Sequence, residues 1–271
     1  MTIAHQPLFK LCYDEPYLQG TLIERNNRFL CHVLLDGSPV SCHVPNTSRL
    51  TELLVPGAPV GILKASNPNR KTAYDLVTVE YKGTTVNLDS NLPNRFTQLL
   101  IEHNYFPEFR ELKLLKPEST YLDSRFDFYW ERESFLAKKD PASEPVNGNS
   151  CLYQADTLTE NKFAGYIEVK GVNYVENGIA QFPGAPTIRG VKHLHTLMDA
   201  YDQGFDAAVI FIIQRSDAHI FRPHETMDPL FAATLRQAAA HGIKLLTASM
   251  VVQGKCVTPT LEGPTIDLNP V

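Results

Sequence analysis

The stretch YIEVKG at residues 166–171 restricts the fold of this chain more than any other part of the sequence. Aromatic and β-branched residues lead into it, which is typical of a strand that enters a buried sheet. Because side chains alternate between the faces of a strand, Glu168 and Lys170 must share one face, and Val169 must point the other way into packing. An isolated carboxylate beside an ammonium group is usually a plain salt bridge, so this pair alone indicates no site.

A second strand-like piece, SRFDF at residues 124–128, changes that interpretation. Alternation puts its two phenylalanines on one face and Arg125 with Asp127 on the other. An Asp on one strand and E-x-K on its neighbour can hold a divalent ion that activates a water and braces phosphate oxygens beside the lysine. The residues alone leave two interpretations open: a metal-dependent site of Asp127, Glu168 and Lys170, or an ion-paired sheet edge.

Length, composition and charge exclude several classes of protein. The 271 residues are enough for two modest domains or one large one, with the composition of an ordinary globular protein. No segment approaches the roughly 18 apolar residues of a membrane span. The N-terminus lacks a signal-peptide pattern, so we expect a cytoplasmic location and no membrane partner. The net charge of −5 argues against a protein that coats nucleic acid by bulk charge.

The five cysteines form an odd, scattered set without C-x-x-C spacing, which predicts reduced thiols. Cys31-His32 and Cys42-His43 are a repeated pair, and a zinc module is one interpretation of them. Both pairs lie in alternating, strand-like sequence, so one residue of each pair faces the core and the other faces away. This favours ordinary strand residues over a zinc site.

Residues 18–85 contain about five short alternating segments separated by turn signals at Asn26-Asn27 and Asp36-Gly37. The pattern predicts a small closed barrel, of which the oligonucleotide-binding (OB) fold is the commonest, although an SH3-like barrel gives a similar pattern. Residues 18–95 carry two more basic than acidic side chains, so we look there for nucleic-acid contacts. The candidate phosphate contacts in this part, which a solvated surface explains equally well, are Arg28, Arg70 and Lys71.

The rest of the chain predicts a mixed α/β domain. Helical spacing occurs in three segments: 94–104, 187–203 and 228–241. The nearly continuous apolar run at 206–214 is typical of a central strand covered on both faces. Residues 131–162 show little periodicity and predict a surface insertion. Lys192 and His193 fall on the polar face of the second helix, where they either touch phosphate or are simply solvated.

Several motifs occur in a characteristic order: RNNRFL at 25–30, HVPNT at 43–47, NPNRK at 67–71, SRFDF at 124–128, EVK at 168–170, RGVKHL at 189–194 and DP at 228–229. In these motifs the chain resembles the sugar fermentation stimulation protein (SfsA) family, bacterial and archaeal proteins also described as DNA/RNA nucleases. The resemblance runs from Gly20 to roughly Val252.

The resemblance implies an OB-like barrel for nucleic-acid binding over residues 1–84 and a restriction-endonuclease-like domain of the PD-(D/E)xK type over 85–271. By motif, Asp127, Glu168 and Lys170 correspond to the active site. Asp127 and Glu168 would hold Mg²⁺ or Mn²⁺, and the backbone carbonyl of Val169 is a further oxygen ligand of the kind that Mg²⁺ prefers. The family also implies sequence-independent DNA binding and a regulatory role in sugar (maltose) metabolism.

The sequence departs from the family pattern near the site. Gly184 stands where the family's F-P-D-A motif has an aspartate, and the acid that usually precedes the SRxDF strand is represented only by Glu111 or Glu118. We interpret the chain as a Mg²⁺-dependent nuclease that acts on DNA, RNA or both with little sequence preference. The alternative, which Gly184 favours, is a non-specific nucleic-acid-binding regulator with an inactive nuclease fold. The oligomeric state stays open, with a homodimer among the options.

Overall fold

The computed structural model describes residues 7–65, 67, 69–133 and 162–270, which form the mixed α/β architecture that the sequence predicts. The insertion predicted at 131–162 lies outside these residues except for its two ends. Within the described parts of the chain, no helix is long and apolar enough to cross a membrane.

The first domain is a closed β-barrel, which confirms the sequence prediction. After the two-residue strand β1 (Leu11–Cys12), its strands are β2 (Tyr17–Asn27), β3 (Leu30–Leu35), β4 (Ser38–His43), β5 (Pro59–Lys64), β6 (Tyr74–Tyr81) and β7 (Thr84–Asn87). They form an antiparallel sheet in the order β4-β3-β2-β5-β6-β7. A parallel contact between β4 and β6 closes this sheet into a barrel.

The turns of the barrel agree with the sequence at one hairpin and differ at another. Asp36 and Gly37 both have positive φ, 48° and 78°, as a two-residue type I′ turn requires. The turn predicted at Asn26-Asn27 is wrong, because register shifts between β2 and β3 let β2 run on to Asn27. Arg28 and Phe29 therefore form the exposed tip of the hairpin.

The second domain follows in chain order. Its elements are α1 (Leu92–Glu102), a 3₁₀ turn (Pro107–Phe109), β8 (Leu112–Tyr121), β9 (Ser124–Arg132), β10 (Ala164–Val172), β11 (Val175–Glu176), β12 (Ile179–Phe182), α2 (Ile188–Asp202), β13 (Asp206–Ile213), β14 (Ile220–Pro223), α3 (Pro229–His241), β15 (Lys244–Gln253), β16 (Cys256–Pro259) and β17 (Thr265–Ile266). One sheet has the order β1-β16-β15-β13-β10-β9-β8, and a smaller sheet has the order β11-β12-β14-β17.

The large sheet is covered on both faces. Strand β13 is buried along its whole length, as its apolar run predicts. Ile167 and Val169 of β10 face the core that α1 covers. Tyr166, from the same strand, faces the opposite core with α2 and α3. The carboxyl ends of β10 and β13 meet the barrel, where Asn87 donates its N–H to the carbonyl of Gln214, directly after β13.

The Asp228 side chain ties together the amino ends of helices α2 and α3. Asp228 accepts the N–H of Phe231 at 3.0 Å through one oxygen and so caps α3. Its other oxygen accepts the N–H of Thr187 at 2.8 Å, the residue that caps α2. Gly242, at φ 109°, ends α3 in the left-handed conformation that glycine, directly after the helical segment at 228–241, adopts readily.

The prediction that all cysteines are reduced is wrong for two of them. Strand β1 pairs with β16 and places Cys12 directly opposite Cys256, where the two sulfurs form a disulfide. Their Cα atoms lie 4.1 Å apart although 244 residues separate them in sequence, so only the tertiary pairing brings them together. Cys31 and Cys42 are free and buried, and Cys151 lies outside the described residues.

A chain of buried amides joins the domains. Asn46 of the barrel donates to Asn173 Oδ1 at 3.1 Å, and Asn173 donates to the carbonyl of Asn87 at 2.6 Å. The barrel sheet continues through β7 to Asn87, beyond residue 84 where we placed the boundary, and β1 belongs to the sheet of the second domain. Because Asn173 directly follows β10, these bonds fix the barrel to the strand that carries E-x-K.

Candidate functional site at a fork between two strands

The central feature of the site is a fork between strands β9 and β10. Their antiparallel ladder runs from Ala164 opposite Glu131 to Ile167 opposite Phe128 and stops there. Beyond Phe128, β9 continues toward its amino end only alongside β8. Both strands that carry the predicted site residues therefore separate at those residues.

The Asp127 side chain lies between the two strands where they separate. In a continued ladder the N–H of Val169 would meet the carbonyl of Phe126. Instead, Asp127 Oδ2 accepts this N–H at 2.7 Å, and Asp127 Oδ1 accepts the side-chain amide of Asn94 from α1 at 2.7 Å. The Asp127 carboxylate thus replaces a main-chain partner of β10 and lies beside the backbone of E-x-K.

The predicted alternation along β9 fails at this point. Phe128 packs in the core with α1, whereas Phe126 packs in the core with α2 and contacts Tyr166 at a ring-centroid distance of 5.4 Å. The two phenylalanines therefore do not share a face. Between them β9 loses its partner β10, and its ladder with β8 skips Asp127, opposite Glu118, whose φ is 53°. The regular pleat is therefore interrupted at Asp127.

The alternation along β10 is as predicted. Val169 is buried in the core with α1, while Glu168 and Lys170 lie on the α2 side. Glu168 is only 4% exposed, and its Oε1 pairs with Lys170 Nζ and with His193 Nδ1, the latter at 2.6 Å. Its second oxygen, Oε2, is buried and has no partner among the described residues. Oε1 of Glu168 is therefore fixed by two partners, whereas Oε2 remains able to bind a further group.

His193 and Asn94 are the residues that sequence reasoning did not assign to the site. We placed His193 on the outer face of α2 with Lys192, but it is 4% exposed and points inward. Arg189 Nε donates to His193 Nε2 at 3.3 Å, so the Nδ1–H is left to donate to Glu168. The signal was present, because His193 and Leu197 are spaced by four residues on the apolar stripe. Nothing in the sequence singled out Asn94.

The two carboxyl groups have opposite electrostatic environments. Burial raises the pKa of Asp127, and the charge of Glu168 raises it further, against the Val169 N–H and Lys170. Burial also acts to raise the pKa of Glu168, but Lys170 and His193 outweigh it, so the pKa of Glu168 lies below its usual range. Glu168 is therefore favoured in its ionised form, while Asp127 keeps its proton to a higher pH than an ordinary aspartate.

The donor set suits a hard cation with an incomplete protein shell. Within the described ranges, no three His, Cys, Asp or Glu side chains converge as a metal cluster. Two carboxylates and backbone oxygens are what Mg²⁺ uses when it keeps several waters. The zinc module is wrong: Cys31 and Cys42 are opposite each other in the core, and His32 and His43 point outward.

The other candidate acids do not reach the fork. Glu118 forms an ion pair with Arg125 on the surface. Glu111 precedes β8 and makes no hydrogen bond or ion pair with Asp127, Glu168 or Lys170. The side chain that contacts Asp127 is instead the uncharged amide of Asn94, at 2.7 Å.

The predicted phosphate contacts divide into two pairs. Arg28 and Lys71 are exposed on the barrel and have no side-chain partner among the described residues. Arg70 instead forms two hydrogen bonds with Asp75, at 2.7 and 2.6 Å. Lys192 pairs with Asp123 at 2.7 Å. The first pair is available to a phosphate backbone, and the second must first give up an acidic partner.

The fold defines a class of protein in which an OB-type barrel is joined to a mixed α/β domain. Family comparison gives the same division. The family described as "Sugar fermentation stimulation protein RE domain" matches residues 91–256, and "SfsA N-terminal OB domain" matches residues 23–88. The chain belongs to the sugar fermentation stimulation protein (SfsA) family.

Relatives in other organisms agree with this assignment. A sugar fermentation stimulation protein homolog of Ruminiclostridium cellulolyticum is 40% identical over 235 residues, which is 87% of this chain and 91% of that protein. A homolog of Desulfitobacterium hafniense is 39% identical over 228 residues, 84% of this chain and 86% of that protein. The solved structure of Pyrococcus furiosus SfsA in complex with Ca²⁺ has the same fold, with a TM-score of 0.78 at 21% identity over 97% of this chain and 99% of that one.

Proposed function

We propose that this chain is a Mg²⁺- or Mn²⁺-dependent nuclease that hydrolyses phosphodiester bonds of DNA, RNA or both with little sequence preference. The observation that carries the proposal is Glu168 Oε2, a buried carboxylate oxygen with no partner among the described residues, next to Asp127 and Lys170. The charge of Glu168 is paired through Oε1, but a buried polar atom such as Oε2 is costly unless something binds it. The Ca²⁺ in the complex of the Pyrococcus relative supports a divalent cation as the missing partner.

Each residue at the fork has a separable task. Asp127 and Glu168 would hold the ion, together with the carbonyl of Val169, which points to the same side of β10 as the N–H that Asp127 accepts. When bound, such an ion supplies an activated water and neutralises phosphate charge. Lys170 stabilises negative charge on the phosphate. His193 donates to Glu168 Oε1, which helps to keep Glu168 ionised and leaves Oε2 for the ion.

The direct test is cleavage of single- and double-stranded DNA and RNA with Mg²⁺ or Mn²⁺. We expect cleavage that chelation abolishes and that added metal restores. Cleavage that survives chelation would exclude the metal-dependent mechanism.

The alternative proposal is a non-specific nucleic-acid-binding regulator of sugar metabolism whose nuclease fold is inactive. Gly184 supports it through the missing aspartate, although in the structure this residue lies against the barrel, where a Cβ would be 3.2 Å from Ser48 Oγ. Salt-dependent binding with no cleavage under any metal would favour this alternative.

A second prediction concerns the barrel surface. Replacing Arg28 and Lys71 together by glutamine should weaken binding of all nucleic-acid sequences alike, because phosphate contacts carry no sequence information. The slope of log affinity against log salt should fall by roughly 0.9 per lost contact. The matched control replaces Arg70 and Lys192, whose charges are already paired, and should change the slope less. If replacing Arg28 and Lys71 lowers the slope no more than the control replacement does, the binding surface lies elsewhere.

A further inference from the structure

A cavity of about 240 Å³ lies between the barrel and the second domain. On one side, its wall is formed at the carboxyl ends of three strands: Gly171 and Val172 of β10, Phe182 of β12, and His224 after β14. Residues 48–52 of the barrel form the opposite wall. Open α/β sheets bind their ligands outside the carboxyl ends of their strands, so the position is that of a binding site.

The cavity begins where the proposed nuclease site ends. Lys170 is followed directly by Gly171 in the cavity wall, and the rise of about 3.3 Å per residue puts the end of β10 about 7 Å from Lys170. A group in the cavity is therefore a close neighbour of whatever lies against Lys170. In a polynucleotide, the neighbour of a phosphate is a nucleoside.

The lining presents a flat aromatic surface. The ring of Tyr174 stacks on that of His224, with centroids 5.0 Å apart and planes 18° apart. His224 Nδ1 lies 3.2 Å from the carbonyl of Pro183, which fixes the orientation of the ring pair. Aromatic side chains that stack on bases, with cations along the backbone, are how proteins hold single-stranded nucleic acid.

A positively charged side chain, that of Arg49, lies at the rim of this cavity. Arg49 is exposed there, and its guanidinium has no partner in the described parts of the chain. The backbone at Arg49 is fixed by hydrogen bonds, because Arg25 donates to the carbonyls of Arg49 and of Ser48, the latter at 3.1 Å. The rim charge is therefore presented from a fixed loop.

The volume of the cavity limits what can occupy it. Sites for drug-sized ligands measure roughly 300–1,000 Å³, so 240 Å³ holds one ring system and no length of strand. We propose that the cavity takes a single unstacked base of the nucleic-acid strand whose phosphate lies at the fork, with Tyr174 as the stacking surface and Arg49 on the adjoining phosphate. This inference rests on the proposed nucleic-acid substrate.

The test measures binding of the full chain to a single-stranded oligonucleotide and to a base-free strand of the same length, with a chelator present to prevent cleavage. Tyr174→Leu should weaken binding of the intact strand about 10-fold, within the range for one stacked base, and leave binding of the base-free strand unchanged. Tyr174→Phe, which keeps the ring, should match wild type on both strands. If Tyr174→Leu does not fold, Met227→Trp, which fills the cavity from another wall, should reproduce the loss.

The outcomes separate this inference from the function beneath it. If wild type cleaves nucleic acid but Tyr174→Leu and Met227→Trp bind both strands as wild type does, the cavity assignment is overturned and the nuclease stands. If wild type binds neither strand, the proposed function fails and the cavity assignment with it. Tyr174-dependent binding of adenosine monophosphate, without any effect on strand binding, would make a free nucleotide the occupant and overturn the assignment to the strand.

Discussion

Replacing Lys170 by alanine is expected to reduce cleavage by at least about 100-fold, the usual loss when one preorganised charge is removed from a reacting centre. Lys170 pairs with Glu168 and is the first of the groups that hold the pKa of Glu168 below its usual range. The variant therefore loses the charge that faces the phosphate and also part of the force that keeps Glu168 ionised. Nucleic-acid affinity should change little, because most of it comes from other phosphate contacts.

The control for this experiment is Lys192→Ala. Lys192 is also a lysine near the end of the sheet, but it pairs with the exposed Asp123 on the outer face of α2. It should retain cleavage close to the wild-type rate. Wild-type-like cleavage by Lys170→Ala, in a preparation free of contaminating nuclease, would remove Lys170 from the mechanism.

Asp127→Asn is expected to separate stability from metal binding. Burial raises the pKa of Asp127, so its stabilising contribution is present below the unfolded pKa and is lost as pH rises through the folded pKa. At neutral pH without metal, the ionised side chain therefore destabilises the fold. Asparagine accepts the Val169 N–H equally well, and the amide of Asn94 can turn to accept from the new side chain.

Without metal, we expect Asp127→Asn to melt about 2–4 °C higher than wild type at neutral pH, which corresponds to about 1 kcal/mol in a protein of this size. The difference should shrink as pH falls through the pKa of Asp127, which lies above the ordinary aspartate range. With Mg²⁺ or Mn²⁺ at 100 times the dissociation constant, wild type should gain about 2.7 kcal/mol and the variant almost nothing. The order of the two melting curves should therefore reverse on adding metal.

The matched control is Asp123→Asn. Asp123 is exposed and its pKa is lowered, chiefly by Lys192, so its replacement should not raise the melting temperature and should leave the metal response intact. An Asp127→Asn variant that melts below wild type without metal, or that gains as much stability from metal, would contradict the assigned role of Asp127.

What the sequence predicts well depends on local periodicity. The alternation of YIEVKG put Glu168 and Lys170 together and Val169 in the core, and both the fully buried strand β13 and the helix end at Gly242 follow from local pattern. The spacing of His193 from Leu197 also places it on the buried side of α2.

What the sequence does not predict depends on pairing between distant segments. The pleat of β9 fails at Asp127 because β9 exchanges two neighbouring strands for one, and no residue in SRFDF records that loss. The Cys12–Cys256 disulfide follows from the β1–β16 ladder, and the amide of Asn94 reaches Asp127 only because α1 packs across β10. Such contacts are properties of the assembled sheet.

The path of the chain makes the barrel a domain inserted into another. It leaves the second domain after β1 and returns at Asn87, and the two connections touch, since Asn87 donates to Tyr13 Oη at 3.1 Å and Tyr13 donates to Asp89 at 3.1 Å. A domain held by two adjoining connections cannot swing as one on a single linker can. If the barrel grips the substrate, the strand enters the fork with one fixed polarity. If the chain also cleaves nucleic acid as proposed, this joint would then decide which strand direction is presented to the fork, at a distance from Asp127, Glu168 and Lys170.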